Sequence, residues 1–507
     1  MLHLLPTETA LHIASYLPLQ SLHRVLLVSK EWHSLIVLND QTVYRNAAIL
    51  HRFVLQADLE AGTSSHMPDR QQIDWTQFCQ RRLEIEKGWR GKAPSTAKEL
   101  TSIGKSVHRI KVDQKEGFMV TTCTTGGLYV TDINIDCVLW AETAHVPDYN
   151  VYCEYDHQYI IVHRRGRKEV WRLARDFQDS DIPEDFKPDD SMIRASEEAA
   201  RRNPSSTGHG HFRPWALLLM PEPTRAFRFS HPTLISASAD NAYLWDVPTS
   251  RLVEKISNIR VSDRDGALGY LNYVGVNDQY AFICGFNQLR IFARGGGALI
   301  YNLTKEMLPC PRWNVFPESN NVSCPSSFFR SQHLHEEFHL SRDSLASNFK
   351  AAQVSASGKD LAVLTASGIF IWIPGFERLV RREASLSDIA VVLNFNPTPF
   401  SDNFRDISIC LALEQLNEKA AIATHKGLYI ITLEPEISKL TAEASSRPAI
   451  SVCRFMKHME YNHVQYLPYI SCIQMTNTGI FFNWYPIFAP GPDWVLLNKN
   501  MIHCIQV

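Results

Sequence analysis

The sequence lacks a charge of one sign. Its 51 Lys and Arg stand against 53 Asp and Glu, a formal net charge of −2 over 507 residues, so it has no global basic field of the kind that draws proteins onto DNA or RNA. Nucleic acid is not an expected partner. Long apolar runs are missing too: WALLLMP, residues 215–221, is the densest and falls far short of the ~20 residues that cross a bilayer. The N-terminus shows no basic stretch, apolar core and small-residue cleavage site of a leader. No membrane is expected as a partner, and a cytoplasmic and/or nuclear location is. The eleven cysteines are odd in number and scattered from Cys79 to Cys504 without a Cys-x-x-Cys pair, which suits reduced thiols rather than a disulfide framework or a zinc cage.

Chemistry-bearing motifs are also scarce. There is no G-x-x-x-x-G-K-[ST] phosphate loop and no G-x-S-x-G nucleophile elbow. His335-Glu336-Glu337-Phe338-His339 matches the zinc-peptidase spacing H-E-x-x-H, in which two histidines one helical turn apart bind the metal and the Glu acts as base. It sits in a polar stretch that already holds His333, and nothing downstream to Asp360 supplies a third ligand of the usual spacing. His209 and His211 flank Gly210 in a segment expected to be flexible. A solvated loop is therefore the expectation at both places, a zinc metallopeptidase is the remote alternative, and the chain reads as non-catalytic with no cofactor and no metal.

What is present begins at once. Residues 1–40 hold two or three short amphipathic helices: Pro6 suits a first helical turn, Ile13, Tyr16 and Leu17 follow at helical spacing until Pro18, Leu22, Val25 and Leu26 form a second stripe, and Val28, Trp32, Leu35 and Ile36 a third. A unit this small rarely folds without a metal, a disulfide or a partner. It contains no cysteine, so association is expected. LPTETALHIASYLPLQSLHRVLLVSKEWHSLI resembles the F-box, with the Leu-Pro opening, the Tyr-Leu-Pro-Leu middle and the Val-Ser-Lys-x-Trp ending. The resemblance implies docking onto the Skp adaptor of a cullin-based ubiquitin ligase. Carried over position by position, the adaptor surface would comprise Leu5, Pro6, Ile13, Leu17, Leu19, Leu22, Val28 and Trp32.

Helical pattern continues from Tyr44 to about Phe53, and resumes in IDWTQFCQRRLEIEKGWRGK, where Trp75, Phe78, Cys79, Leu83, Ile85 and Trp89 make a broad apolar face and Gly91 can end the helix. Its tail resembles the helix that joins an F-box to a propeller of WD-type repeats. After Lys105 the period switches to 2. VHRIKVDQKEGFMVTTCTTGGLYVTDINIDCVLWAE reads as four successive strands, TLISASADNAYLWDVPTSRLVEKI repeats the pattern with a turn at Asp240-Asn241, and five further hairpins follow around residues 159–173, 280–292, 361–373, 420–433 and 472–485. Each such unit exposes strand faces that only a neighbour can cover, and a closed ring removes free edges. The expectation is α + all-β: an F-box at 1–45, a helical linker at 46–104, and a roughly seven-bladed WD-like β-propeller at 105–507. Insertions are expected near 176–214, as a mobile excursion, and near 310–350.

The repeats depart from the WD pattern, because the Gly-His start is absent in register and Trp245-Asp246 is the lone WD dipeptide. Glycine clusters occur only at Gly126-Gly127 and Gly295–Gly297, which disfavours kelch blades. A pair of β-sandwiches is the structural alternative. The shape resembles fungal F-box proteins, and implies the substrate-recognition subunit of a Skp, cullin and F-box ligase, with a protein substrate on the propeller. A cullin-independent F-box scaffold for assembly or trafficking would need the same adaptor surface. For the substrate, the densest basic run, Arg164-Arg165-Gly166-Arg167-Lys168, sits at a hairpin turn with no acid before Glu169. Arg164, Arg165 and Arg167 are the candidates for gripping an acidic or phosphorylated segment.

Overall fold

In the computed structural model, the described residues run from 5 to 507, apart from 52, 55–72, 144–150, 165, 179–181, 205–207, 261–265, 312, 316–347, 356–357, 396–409, 414–418, 425–426, 434–449, 455–469 and 485–500. Four short helices open the chain: α1 (Thr7–Ser15), α2 (Leu19–Leu26), α3 (Lys30–Leu38) and α4 (Asp40–Leu50). Pro6 precedes α1 and Pro18 precedes α2, each placed where a missing N–H costs nothing. Ser29 caps α3 by accepting from the Trp32 N–H at 3.3 Å. The linker helix α5 (Trp75–Trp89) is capped by Asp74, which accepts from the Gln77 N–H at 2.9 Å.

Helix α5 belongs to two cores. Trp75 and Cys79, near its start, pack with Ala14, Leu22, Ile36, Val43 and Ala47 of the first four helices. Ile85 and Trp89, near its end, pack with Ile430, Met475, Ile480 and Phe482 of the strand domain. The Trp89 indole donates to the Asn477 carbonyl, and buried Lys419 meets Glu86 at 2.8 Å. One rigid helix therefore fastens the helical module to the strands.

The strands form seven sheets, and the polypeptide closes them into a ring. Six blades take their four core strands in sequence order, at 107–142, 153–219, 226–257, 271–304, 349–394 and 410–454. The seventh takes three strands from 473–506 and its outermost from Thr96–Leu100, paired antiparallel from Thr96 opposite Gln506 to Leu100 opposite Ile502. The first strands of successive blades touch all the way round, blade 7 meeting blade 1. The ring thus begins at Thr96, ahead of the expected 105, because the closing strand TAKEL is polar and exposed except at Leu100, and carries no alternating signal. Blade 5 gains a fifth strand, Trp313–Asn314, parallel to its outer edge.

Two further departures have physical causes. The segment near 176–214 holds a helix, α6 (Asp190–Arg202), capped by Asp189, and the fourth strand of blade 2, Phe212–Leu219. It is no featureless excursion: Met192, Ala195 and Ala199 form a stripe that packs on Leu139, Trp140 and Phe212. The WD pattern fails at the indoles. Trp171, Trp245 and Trp372 stand opposite Ile160, Leu234 and Ala362, and the N–H groups of Trp245 and Trp372 have no partner among the described residues. Asp246 keeps its part, accepting from the Thr249 N–H at 3.1 Å, as Asp132 does from Asn134 at 2.8 Å in blade 1. These aspartates close the turn after the third strand, a local role for an Asx side chain.

Candidate functional site

Two surfaces stand out. The first is on the helical module. Its core takes Leu19 and Leu22, at 4% and 0% exposure, and half-buried Leu17 and Trp32 lean on the same core. These positions serve the module's own packing, because α4 and the start of α5 cover that side. Leu5, Pro6, Ile13 and Val28 point to solvent, and Tyr16, Leu27, Val37 and Leu38 join them. Leu27 and Val28 are 76% and 68% exposed. An apolar stripe left open on helices whose interior is already full is the signature of an interaction surface.

The second surface is one mouth of the ring. In a four-stranded antiparallel blade, the connection from the previous blade and the turn between second and third strands lie on the same face. That face carries the turn holding Arg164 and Arg167. Neither arginine is free to reach outward. Arg164 pairs with Glu142 of blade 1 and lies 3.6 Å from Glu169, itself held above the usual carboxylate range by burial. Arg167 pairs with Asp189, the cap of α6, at 2.9 Å. The compensating acids come from other parts of the chain, which the local sequence could not reveal. Arg165, like His335, Glu336 and His339, lies outside the described residues. Neighbouring Lys168 is buried, 2.7 Å from His163 Nδ1 and 3.1 Å from Thr224 Oγ1, with the Phe227 ring 4.3 Å away. Burial pushes its amine down to about 7.

Other residues open onto the mouth. Arg109, in the first strand of blade 1, lies 4.3 Å over the ring of Tyr152, the residue just before the first strand of blade 2. Arg225, just before the first strand of blade 3, lies 4.8 Å over Tyr270, just before that of blade 4. Tyr152 and Tyr270 are 47% and 56% exposed. Tyr270 also meets exposed Phe286 edge-on at 6.4 Å. His108 donates from Nδ1 to the Val151 carbonyl at 3.0 Å, and burial, then the Arg109 charge, push it down to about 4. It is neutral at physiological pH, so the charge beside Tyr152 is Arg109's.

Deeper in the channel, Glu154 is shared by Lys111 at 2.7 Å and Arg228 at 3.3 Å. Glu222 on the rim accepts from Ser238, Asn241 and Tyr243, which hold its carboxyl below the usual range. Among the described residues, exposed Lys105, Arg225 and Arg260 and half-buried Arg109 thus face only Asp240 and Glu306 as exposed carboxylates of this face.

Comparison with known proteins places the helical module in a class. Residues 2–49 match the F-box-like family, so the chain carries an F-box-like domain there, ahead of a seven-bladed β-propeller. No fungal subfamily is assigned by that match. No curated protein matches the chain. Among solved structures, the β-propeller domain of Cps50 (Swd1) from Myceliophteria thermophila is 12% identical, with TM-score 0.45, covering 82% of this chain and 100% of its own. U3-55K is 8% identical, with TM-score 0.46, covering 81% and 98%. The RRP9 WD40 repeats are 8% identical, with TM-score 0.44, covering 81% and 97%. No helix among the described residues is long and apolar enough to cross a membrane.

Proposed function

We propose that the protein is the substrate receptor of a Skp, cullin and F-box ubiquitin ligase. The F-box-like domain docks the Skp adaptor, which brings the cullin, and the propeller mouth holds a protein substrate. F-box domains generally bind Skp adaptors, and this architecture is typically non-catalytic, so ubiquitin transfer belongs to other subunits. The observation that carries the reading is the open stripe of Leu5, Pro6, Ile13, Leu27 and Val28 beside a filled core. Each large apolar side chain desolvated there contributes roughly 1.5–3 kcal/mol by area, and such side chains at an interface centre carry most of the affinity.

Leu5→Ala with Pro6→Ala tests it. Capture of the Skp adaptor should be lost while the propeller unfolds at its normal temperature. Full-strength capture by the double variant would overturn the assignment. Cullin should co-purify with the adaptor; adaptor without cullin would indicate the scaffold role instead.

A further inference from the structure

We infer that His51 is a proton-sensitive latch of the docking module: its neutral imidazole holds the start of α2 in place, and a proton on the ring releases the helix that leads into Leu27 and Val28. The inference rests on the receptor reading above and adds a regulation of that same docking face. The latch is a single long-range hydrogen bond, in which His51 Nε2, at the end of α4, accepts from the Leu19 N–H at 3.0 Å. Leu19 opens α2, where the first N–H groups have no carbonyl one turn back to accept them. Pro18 before it offers no side-chain cap, and the first turn of α2 holds no acid. Leu19 is itself buried, so water is a poor substitute for the imidazole.

Only the neutral ring can serve. The accepting nitrogen uses its lone pair, which leaves the ring proton on Nδ1; a protonated imidazole has two donors and no acceptor. It sets an N–H against the Leu19 N–H and a cation against the positive end of the α2 dipole. Both effects push α2 away. The ring stacks on Phe53 at 5.4 Å, and burial holds its titration below the ordinary imidazole range. Among the described residues, the charged groups that face it come from α5: Glu86 favours the proton, Arg90 opposes it, and Arg82 lies 5.7 Å over the Phe53 ring. Glu86 is shared with Lys419 of blade 6, at 2.8 Å. On α2 itself, His23 and Arg24 sit in the last turn, away from the latch, and Asp40 and Arg45 lie further back along α4.

Helix α2 carries the effect to the docking face. Its eight residues span about 12 Å, too short to be stable alone, so a shift at its start reaches exposed Leu27 and Val28 directly after its end. A second polar tie from α4, Asn46 Nδ2 to Ser15 Oγ at 2.9 Å, holds α1 through groups that do not titrate. Acid therefore loosens α2 and leaves α1 in place. Because docking needs the neutral ring, adaptor affinity is full above the ordinary imidazole value of 6.5 and falls as pH drops through the lowered value of the folded chain.

The test measures capture of the Skp adaptor by the full chain from about pH 8 to about pH 5. The wild-type chain should lose capture severalfold over this range. His51→Gln supplies an acceptor oxygen that takes no proton, so its capture at the alkaline end should match the wild type within about twofold and fall much less in acid. His51→Leu supplies no acceptor and should capture weakly throughout. The ratio of variant to wild type cancels the titration of the adaptor and of His12, His23 and His33 in the module. A second readout needs no adaptor: the melting temperature of the helical module should fall on acidification less in His51→Gln than in the wild type. A pH profile of capture or of melting that His51→Gln leaves unaltered, or unimpaired capture by His51→Leu, would overturn the inference. Acid-insensitive melting in His51→Gln with no adaptor captured by any chain would sink the receptor reading alone, and strong capture with a profile indifferent to His51 would sink this inference alone.

Discussion

In the helical module, helices of eight to eleven residues bury one stripe and leave another open; in the propeller, each blade's apolar faces are covered by its neighbours. The difference follows from closure. A ring of sheets supplies every blade with two flanking blades, so Trp140, Trp171, Trp372 and Trp484 are all essentially buried. Short helices have no such symmetry. Each is marginal alone, and the module is stabilised where α4 and the first half of α5 lie against it, leaving the side of Leu5, Ile13 and Val28 to a partner. Exposed apolar residues therefore mean something in the module, whereas in the ring the informative departures are buried charges and open arginines.

This contrast can be broken first at the junction. Trp89→Ala removes a side chain at 1% exposure from the core that α5 shares with blades 6 and 7. It should cost about 3–5 kcal/mol, lower the urea midpoint of the propeller, and leave the fold of residues 5–50 less affected. A loss confined to the helical module would mean that α5 does not belong to the ring.

The next effect has the opposite sign. Lys168 is protonated below about 10.5 when unfolded but only below about 7 when folded. Between these values the unfolded chain binds more protons, so this residue's contribution to stability rises with pH across that window and is smallest at and below pH 7. Lys168→Met should therefore stabilise the protein, on the order of 4 kcal/mol near pH 7, with the advantage shrinking as pH approaches 10.5. Denaturation midpoints of the two proteins across this range are the check. An advantage independent of pH would show that Lys168 is not buried as a strained base.

Smaller still is the helical cap. Ser29→Ala removes the acceptor for the Trp32 N–H and should cost about 1 kcal/mol, read as a lower melting temperature of the module. Val28→Asp, one residue away and exposed, should leave melting unchanged and reduce adaptor capture. Together the pair separates the module's own stability from its docking.

Much of the ring was legible in sequence, because seven hairpins keep period 2 and their turns carry Gly, Asn and Asp. The closing strand Thr96–Leu100 was not, since an outer edge strand needs no apolar alternation. Helix α6 escaped because its packing stripe is Met192, Ala195 and Ala199, and alanines do not stand out in a polar segment. Within the F-box pattern, Leu19 and Leu22 look the same as Leu5 and Val28: amphipathic spacing marks an apolar face without saying whether the chain or a partner covers it. At the mouth, local reading favoured the densest basic run, and the folded chain neutralises it with Glu142 and Asp189 from elsewhere. Arg109 and Arg225 are isolated in sequence, and only the folded ring sets each over a tyrosine that precedes the next blade. The one linear clue is a tyrosine immediately before the first strands of blades 2 and 4.

The most direct measurement is backbone hydrogen exchange of the full chain with and without the Skp adaptor. Slower exchange over residues 5–17 and 26–38, with the propeller blades unchanged, is the result predicted if the open stripe of the helical module is the docking face. Protection confined to the blades, or none in the module at saturating adaptor, would contradict it.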